Sequence, residues 1–337
     1  MKYVLVGTGT ISDTYVAAIT ALQVAGQITG DIVACVSRSG RKPASRPELP
    51  CFATLDAVSY VFDAVILATP NGLHCEGALQ AALLKKHVLS EKLLAINSTQ
   101  AEQMLRACAQ AGVVLAVSFQ RRTNPDIRAI KQLIDADAFG KIFAADLSVK
   151  CFRSQAYYDS GSYRGGWDID GGGPFMQQAV HNLDIYGWFF GLPARVVSEL
   201  GTFAHNIEVE DHGAALLRYG TETGCNNAGM IGTLVASTST RPGFATRLDV
   251  HCDKGSFTLT DDVISAWHID GIANPTNTQF HYKHNGAVSA AVADSSAHQA
   301  IIQDFEAAIA TGAEPIASGK SAAVTTKLIE MVYSSRR

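Results

Sequence analysis

Up to Ser118 the chain alternates short, nearly continuous apolar runs with helical patterns. Nothing else in the sequence restricts the fold as strongly. The runs at 2–6, 32–36, 64–68, 87–89 and 113–117 have the make-up of strands buried on both faces. Between them, 12–25, 73–84 and 98–111 carry Ala and Leu at three- and four-residue spacing, and Asn97, Ser98 and Thr99 are N-cap candidates. Strands alternating with helices predict a doubly wound parallel sheet. After a linking helix over 124–138 the pattern changes to alternating segments at 144–152, 195–203, 213–219, 229–237, 245–252, 256–260, 264–269 and 278–282, which predict a large, mostly antiparallel sheet. Helices are expected at 174–190, 298–310 and 321–333, giving an α+β domain. With 337 residues the chain has material for two cores, and the expected division is 1–122 and 123–337.

Composition removes several classes of function. The 27 basic and 31 acidic residues give a net charge of -4, and no long Lys or Arg block supplies the electrostatic footprint of a nucleic-acid binder. A small-molecule partner is expected instead. The seven cysteines are odd in number, widely spaced and without a C-x-x-C pair, so no metal centre is expected and a reducing cytoplasm fits. The opening run Met1–Val6 passes straight into Gly7, too short for a secretion signal, and no apolar stretch is long enough to span a membrane.

Chemistry concentrates where the predicted parallel strands end. Directly after the first comes Gly7-Thr8-Gly9-Thr10-Ile11-Ser12, opening a helix. The glycines permit a tight turn and close approach to a pyrophosphate, whose charge suits the free amides of a helix start. Ser12 stands where the dinucleotide fingerprint has Gly or Ala. After the second strand, Ser37-Arg38-Ser39-Gly40-Arg41 contains no carboxylate for a ribose 2'-hydroxyl. Two arginines and two hydroxyls suit a 2'-phosphate, which favours NADP over NAD. Later strand ends carry Thr69-Pro70-Asn71-Gly72-Leu73-His74 and Ser90-Glu91-Lys92-Leu93. Lys92 is a candidate cation beside a reacting oxygen, and His74 has the plainer alternative of packing at its helix start.

A second constellation begins at Gly171-Gly172-Gly173-Pro174. Pro174 suits a first helical turn. In a continuous helix, Gln177, His181 and Asp184 at i, i+4 and i+7 fall within about 40° of one another, a polar stripe on an otherwise apolar element.

Taken in order, the Gly7 loop, Pro70-Asn71-x-x-His74, Glu91-Lys92, the triple-glycine helix with His181 and Asp184, and the closing helices resemble the Gfo/Idh/MocA oxidoreductases over essentially the whole chain. The resemblance implies a Rossmann domain followed by an α+β domain with a large open sheet. It also implies NAD(P)-dependent hydride transfer at a secondary alcohol or ketone of a sugar, sugar derivative or cyclitol. It makes Lys92 the cleft lysine, His181 the catalytic acid/base and Asp184 a ligand of substrate hydroxyls. Gly7, Thr8, Gly9, Thr10, Ile11, Ser37, Arg38, Arg41, Thr69, Pro70, Asn71, His74, Glu91 and Lys92 are expected at the cofactor. Arg164, Trp167, Gln177, Asn182 and Lys150 join Lys92 and Asp184 as substrate candidates.

Two departures stand out. Leu93 replaces the family's usual proline after the lysine; a cis bond before a residue other than proline costs about 3–4 kcal/mol, so a trans bond is expected. Gln177 stands where many members have Asp, and an amide can orient a partner but cannot take up a proton. The rival readings are an NAD-dependent glycosidase of the same fold, a sensor that binds dinucleotide without turnover, and an interaction scaffold; retained Lys92 and His181 argue against the last two. A sheet with one helix-free face would expose apolar side chains of the strands around Ile142 and Val250 and so predicts a homodimer or homotetramer.

Overall fold

The computed structural model describes residues 1–221, 226–276 and 295–336; the segment expected as a strand at 278–282 lies outside them. In chain order the first elements are β1 (Lys2–Val6), α1 (Thr10–Val24), β2 (Asp31–Val36), β3 (Cys51–Phe52), β4 (Ala64–Leu67), α2 (His74–Leu83), β5 (His87–Ser90), α3 (Ser98–Ala111) and β6 (Leu115–Val117). They form a six-stranded sheet in the order β3-β2-β1-β4-β5-β6, and every pair is parallel. All of β4 is buried, as expected for a strand covered on both faces. The strand order reverses between β2–β1 and β1–β4, and the carboxyl ends there are where open α/β sheets bind ligands. α3 starts with Asn97, whose side chain accepts from the Gln100 amide at 2.9 Å, and ends at Gly112 in the left-handed region.

Next come α4 (Pro125–Asp135), β7 (Ile142–Lys150), α5 (Gln155–Asp159), α6 (Pro174–Gln177), α7 (Val180–Phe190), β8 (Arg195–Gly201), β9 (His212–Arg218), β10 (Ile231–Ser237), β11 (Arg247–Cys252), β12 (Gly255–Thr260), β13 (Val263–Ile269), α8 (Ser296–Thr311) and α9 (Gly319–Ser334). The chain divides into two compact units, and the expected boundary needs correction. The first unit holds Met1–Gln120 and also the described residues 295–326; the second holds 121–276 and 327–336. α8 packs on α1, Tyr3 Oη donates to Glu306 Oε1 at 2.7 Å, and the Val117 amide donates to the Ala317 carbonyl at 2.9 Å. These contacts return the late segment to the first core.

In the second unit the sheet runs β13-β12-β11-β7-β10-β9-β8. Its pairs are antiparallel except β7–β10, which is parallel. Leu147, Val149, Leu234, Ala236, Leu248 and Val250 are buried on one face, where α7 meets β7 and α6 meets β10. On the other face Thr233 donates to Asp146, and Thr258 donates to Asp249 at 2.6 Å. Ile142 and Val250 are themselves buried, and β11 turns Arg247, Asp249 and His251 outward. The exposed apolar side chains come from Phe143, Leu216 and Ile231. Among the described residues no helix is long and apolar enough to cross a membrane.

Candidate active site

Gly7 follows β1 at φ 93°, and a Cβ there would lie 2.7 Å from the Ala68 backbone, so the end of β4 admits only glycine. Around Gly9 the space for a Cβ is open. Gly9 precedes α1 in an extended conformation, and among the described residues no side chain caps the helix, leaving amides of Thr10 and Ile11 at its start. The departure at Ser12 is explained: it is fully buried and its hydroxyl donates to the Gly9 carbonyl at 2.5 Å. Thr8 Oγ1 donates to the Arg41 carbonyl at 2.9 Å, tying this loop to the one after β2. There the Ser37 and Ser39 hydroxyls lie 3.2 Å apart. Arg38 and Arg41 are exposed, and neither has an acidic partner among the described residues.

The turns after β4 and β5 are joined by His74. Its ring is fully buried, with Nδ1 2.7 Å from the Leu93 carbonyl and Nε2 2.8 Å from the Thr69 carbonyl. Burial lowers its pKa, against the opposing pull of the two carbonyls. Both nitrogens are thereby committed, and His74 clamps two loops instead of facing a dinucleotide. The Lys92–Leu93 bond is cis, contrary to expectation; the Leu93 side chain is buried and its carbonyl is held by His74. Lys92 is half-buried just after β5; in the turn after the neighbouring strand β4, Thr69 and Pro70 are half-buried and Asn71 is buried.

Glu91, expected at the cofactor, makes contacts inside the first unit. Its buried carboxylate accepts from Tyr15 Oη at 2.7 Å and the Lys92 amide at 3.2 Å, and faces His298 Nε2 at 3.5 Å. Burial raises its pKa, but His298, Tyr15 and Lys92 outweigh that and leave it below the usual carboxylate range. Glu91 anchors the Lys92 turn to α1 and α8. The alternation pattern gave no sign of this, because α8 comes from the far end of the chain.

In the second unit the expected continuous helix is broken between α6 and α7. The Ala179 amide reaches back to the Pro174 carbonyl at 2.8 Å, a wider turn than the usual i−4 bond. The polar stripe divides accordingly. His181 is half-buried, while Gln177 Nε2 donates to the Asp170 carbonyl at 2.7 Å. Asp184 does not present its carboxylate to a ligand. Both oxygens are taken by Arg122, from Nη2 at 2.6 Å and Nε at 2.8 Å, and the two side chains are 1% and 0% exposed. Trp188 lies 5.1 Å from the same guanidinium. Asn182 is likewise occupied, accepting from Arg121 Nη1 at 3.0 Å, and Arg121 pairs with Asp262 at 3.0 Å. The Asp184 carboxylate is thus committed to Arg122 and the Asn182 amide oxygen to Arg121. Trp167 is half-buried, edge-on to Tyr333 at 5.2 Å, and Lys150 is half-buried at the end of β7.

The glycines before α6 make room for protein, not for ligand. A Cβ on Gly172 would lie 2.2 Å from Tyr333 Oη, and one on Gly173 would lie 1.9 Å from the Glu210 carbonyl. Glu210 accepts from the Gly173 amide at 3.1 Å, the Phe175 amide at 3.4 Å and Tyr333 Oη at 2.9 Å. Burial pushes its pKa up to about 7 despite these donors. The folded protein thus holds this proton more tightly than the unfolded chain, so the stabilisation is complete below about pH 4.3 and is lost as pH rises towards 7. Glu210→Gln should consequently gain on the wild type by roughly 1–3 kcal/mol between pH 5 and pH 8. Melting curves across that range check it; a constant difference between the two proteins removes Glu210 as the titrating group.

Residues 1–119 match the model of the oxidoreductase family with an NAD-binding Rossmann fold, and residues 127–258 match the GFO/IDH/MocA C-terminal domain. The chain belongs to the Gfo/Idh/MocA oxidoreductases. Within this family, the WlbA dehydrogenase of Bordetella pertussis, solved with NADH and UDP-GlcNAcA, is 27% identical with a TM-score of 0.83 over 99% of this chain and 95% of that one. The scyllo-inositol 2-dehydrogenase (NADP(+)) IolU of Bacillus subtilis is 27% identical over 65% of this chain and 66% of that protein. The 2,7-anhydro-N-acetylneuraminate hydratase of Escherichia coli is 30% identical over 47% of this chain and 43% of that protein. The matched stretch thus spans less than half of the hydratase and just under two thirds of the inositol dehydrogenase.

Proposed function

We propose that the protein is an NAD(P)-dependent oxidoreductase that moves a hydride between nicotinamide and a secondary alcohol or ketone of a sugar, sugar derivative or cyclitol. The observation that carries this reading is the uncapped start of α1 after a glycine turn, at the switch point of a parallel sheet in a chain of this family. The donor set fits a dinucleotide. Gly9 leaves open space, the first amides of α1 suit a pyrophosphate, and the buried Thr69 Oγ1 beside Gly7 has no hydrogen-bond partner among the described residues. Bound there, the nicotinamide would supply or accept the hydride. Lys92 then stabilises negative charge on the substrate oxygen, and His181 takes or returns that oxygen's proton. Gln177, fixed by the Asp170 carbonyl, sits four residues before His181 and helps to hold the substrate, together with Arg164 and Trp167. The test is a screen of sugars, sugar acids and cyclitols for a change in nicotinamide absorbance; nucleotide binding without turnover of any class would favour the sensor reading.

NADP is the preferred cofactor in this proposal, since Arg38 and Arg41 have no acidic partners among the described residues and the sequence after β2 offers no carboxylate beside them. Arg38→Ala should weaken NADPH about 10- to 100-fold while changing NADH much less, because a charge-assisted bond to phosphate is lost. Fluorescence titration measures both, and tighter binding of NADH by the wild type would overturn the preference.

The hydratase among the relatives favours a second reading, in which the same site is used without net redox change, as in the glycosidase branch. Substrate consumption with constant nicotinamide absorbance would select it. A cytoplasmic location is supported by the six described cysteines, all free thiols, and a homo-oligomer by exposed Phe143, Leu216 and Ile231. Light scattering showing a monomer at micromolar concentration would remove the oligomer.

A further inference from the structure

Resting on the oxidoreductase reading, we propose that the substrate is a sugar acid whose carboxylate is received by Arg164 and Tyr157 beside Gln178. Arg164 lies in the turn after α5, and its Nη1 donates to Tyr157 Oη at 2.8 Å. The same guanidinium stacks 4.5 Å from the Tyr157 ring and 5.2 Å from the Tyr163 ring. No carboxylate pairs with it among the described residues, and its Nε is buried without a hydrogen-bond partner among them. Gln178 Nε2 donates to Tyr157 Oη at 3.4 Å, and its Oε1 is also buried without a partner among the described residues. Reversing the amide exchanges an orphan acceptor for an orphan donor and leaves the cluster incomplete.

The chemistry of this cluster selects the ligand. Arg164 uses one of five donors on Tyr157. Tyr157 Oη receives two donors, so its own proton is left to give. Burial raises the Tyr157 pKa, against the opposing charges of Arg164 and Arg153, so the phenol remains a donor. A planar guanidinium hydrogen-bonded to a phenol that keeps its own proton suits a carboxylate, and Gln178 suits a neighbouring hydroxyl. Asp170 reduces the positive field but is directed to the Gly165 amide at 2.9 Å.

The cluster adjoins the turn that leads into α7, the helix that carries His181. Gln178 lies in that turn, three residues before His181, with the Gln178 and Ala179 backbones in the right-handed helical region. The Asp170 bonds to Gly165 and Gln177 fasten the Arg164 turn to α6, the short helix that runs into this turn. The carboxylate takes no part in the redox step: with the dinucleotide bound, a carbinol carbon of the acid would give its hydride to NAD(P)+ while His181 took the hydroxyl proton, leaving a keto acid and NAD(P)H.

The experiment compares D-glucuronate with D-glucose and D-galacturonate with D-galactose, using full-length protein saturated with NADP+. Wild-type kcat/KM should favour the acids at least about tenfold, and Arg164→Ala should collapse that ratio towards one, mainly through KM. Arg164→Lys should restore part of it, and Tyr157→Phe should lower it less than Arg164→Ala. A wild type that handles the neutral sugar as well, or an unchanged ratio in Arg164→Ala, overturns the inference while leaving the oxidoreductase reading intact. Should neither class turn over, saturation-transfer NMR with the same sugars decides: acid-selective binding abolished by Arg164→Ala supports the inference and points the failure at the redox reading. Equal binding, or none at millimolar concentration, overturns it.

Discussion

Asp184→Ala should destabilise the second unit by about 3–5 kcal/mol, the cost of leaving one member of a buried ion pair without its partner. Arg122 is completely buried, and both of its bonds to Asp184 are short. Removing the carboxylate strands a guanidinium in a medium of low dielectric beneath Trp188. Arg122→Met should cost a similar amount by stranding the carboxylate. The double variant Arg122→Met/Asp184→Leu should recover much of the loss, since an apolar pair of matching volume has no charge to desolvate. Denaturant unfolding followed by tryptophan fluorescence separates these cases, Trp188 reporting from the pair itself. A ligand role for Asp184 predicts the opposite pattern: Asp184→Ala would fold with near-normal stability and show its defect in KM.

Asp184 also shows where reading the chain stops. Helical spacing correctly groups polar side chains, but it cannot tell a face turned to solvent from one turned to a charge supplied by a distant residue. Arg122 is separated from Asp184 by 62 positions, and no local pattern links them. The same limit explains Glu91, whose charge is answered by Tyr15 and His298 inside the first unit. His74 was easier, because its plain packing role follows from a place at the start of α2 and needs only the two adjacent turns. Strands were legible for a different reason. A strand buried on both faces must be continuously apolar, so β1 and β4 are visible in composition alone, whereas two-residue β3 carries too little pattern. The parallel pairing of β10 with β7 was not visible, since alternation reports which face is buried and says nothing of a neighbour's direction. Around Tyr157, Arg164 and Gln178 the useful signal is unsatisfied hydrogen-bonding capacity, which exists only once the three residues are brought together.

The largest kinetic effects are expected at Lys92 and His181, to which the proposed mechanism gives the same oxygen in the same step. Lys92→Ala removes a cation from a developing alkoxide and should lower kcat by about 10²- to 10³-fold. His181→Ala removes the proton acceptor and should lower kcat by about 10²- to 10⁴-fold, together with the limb of the pH profile that the imidazole supplies. Lys92→Arg is an informative companion: it keeps the charge but replaces a compact ammonium by a planar fork, so it should rescue only part of the loss. Dinucleotide affinity should survive all three changes, because the glycine turn and the start of α1 are untouched. The decisive number is the double variant. Two groups that act on one developing charge are coupled, so Lys92→Ala/His181→Ala should lose less than the product of the single losses. Multiplicative losses would mean that the two side chains act in separate steps. Near wild-type turnover by either single variant would remove that residue from the chemistry, and near wild-type turnover by both would leave the fold serving recognition instead of catalysis.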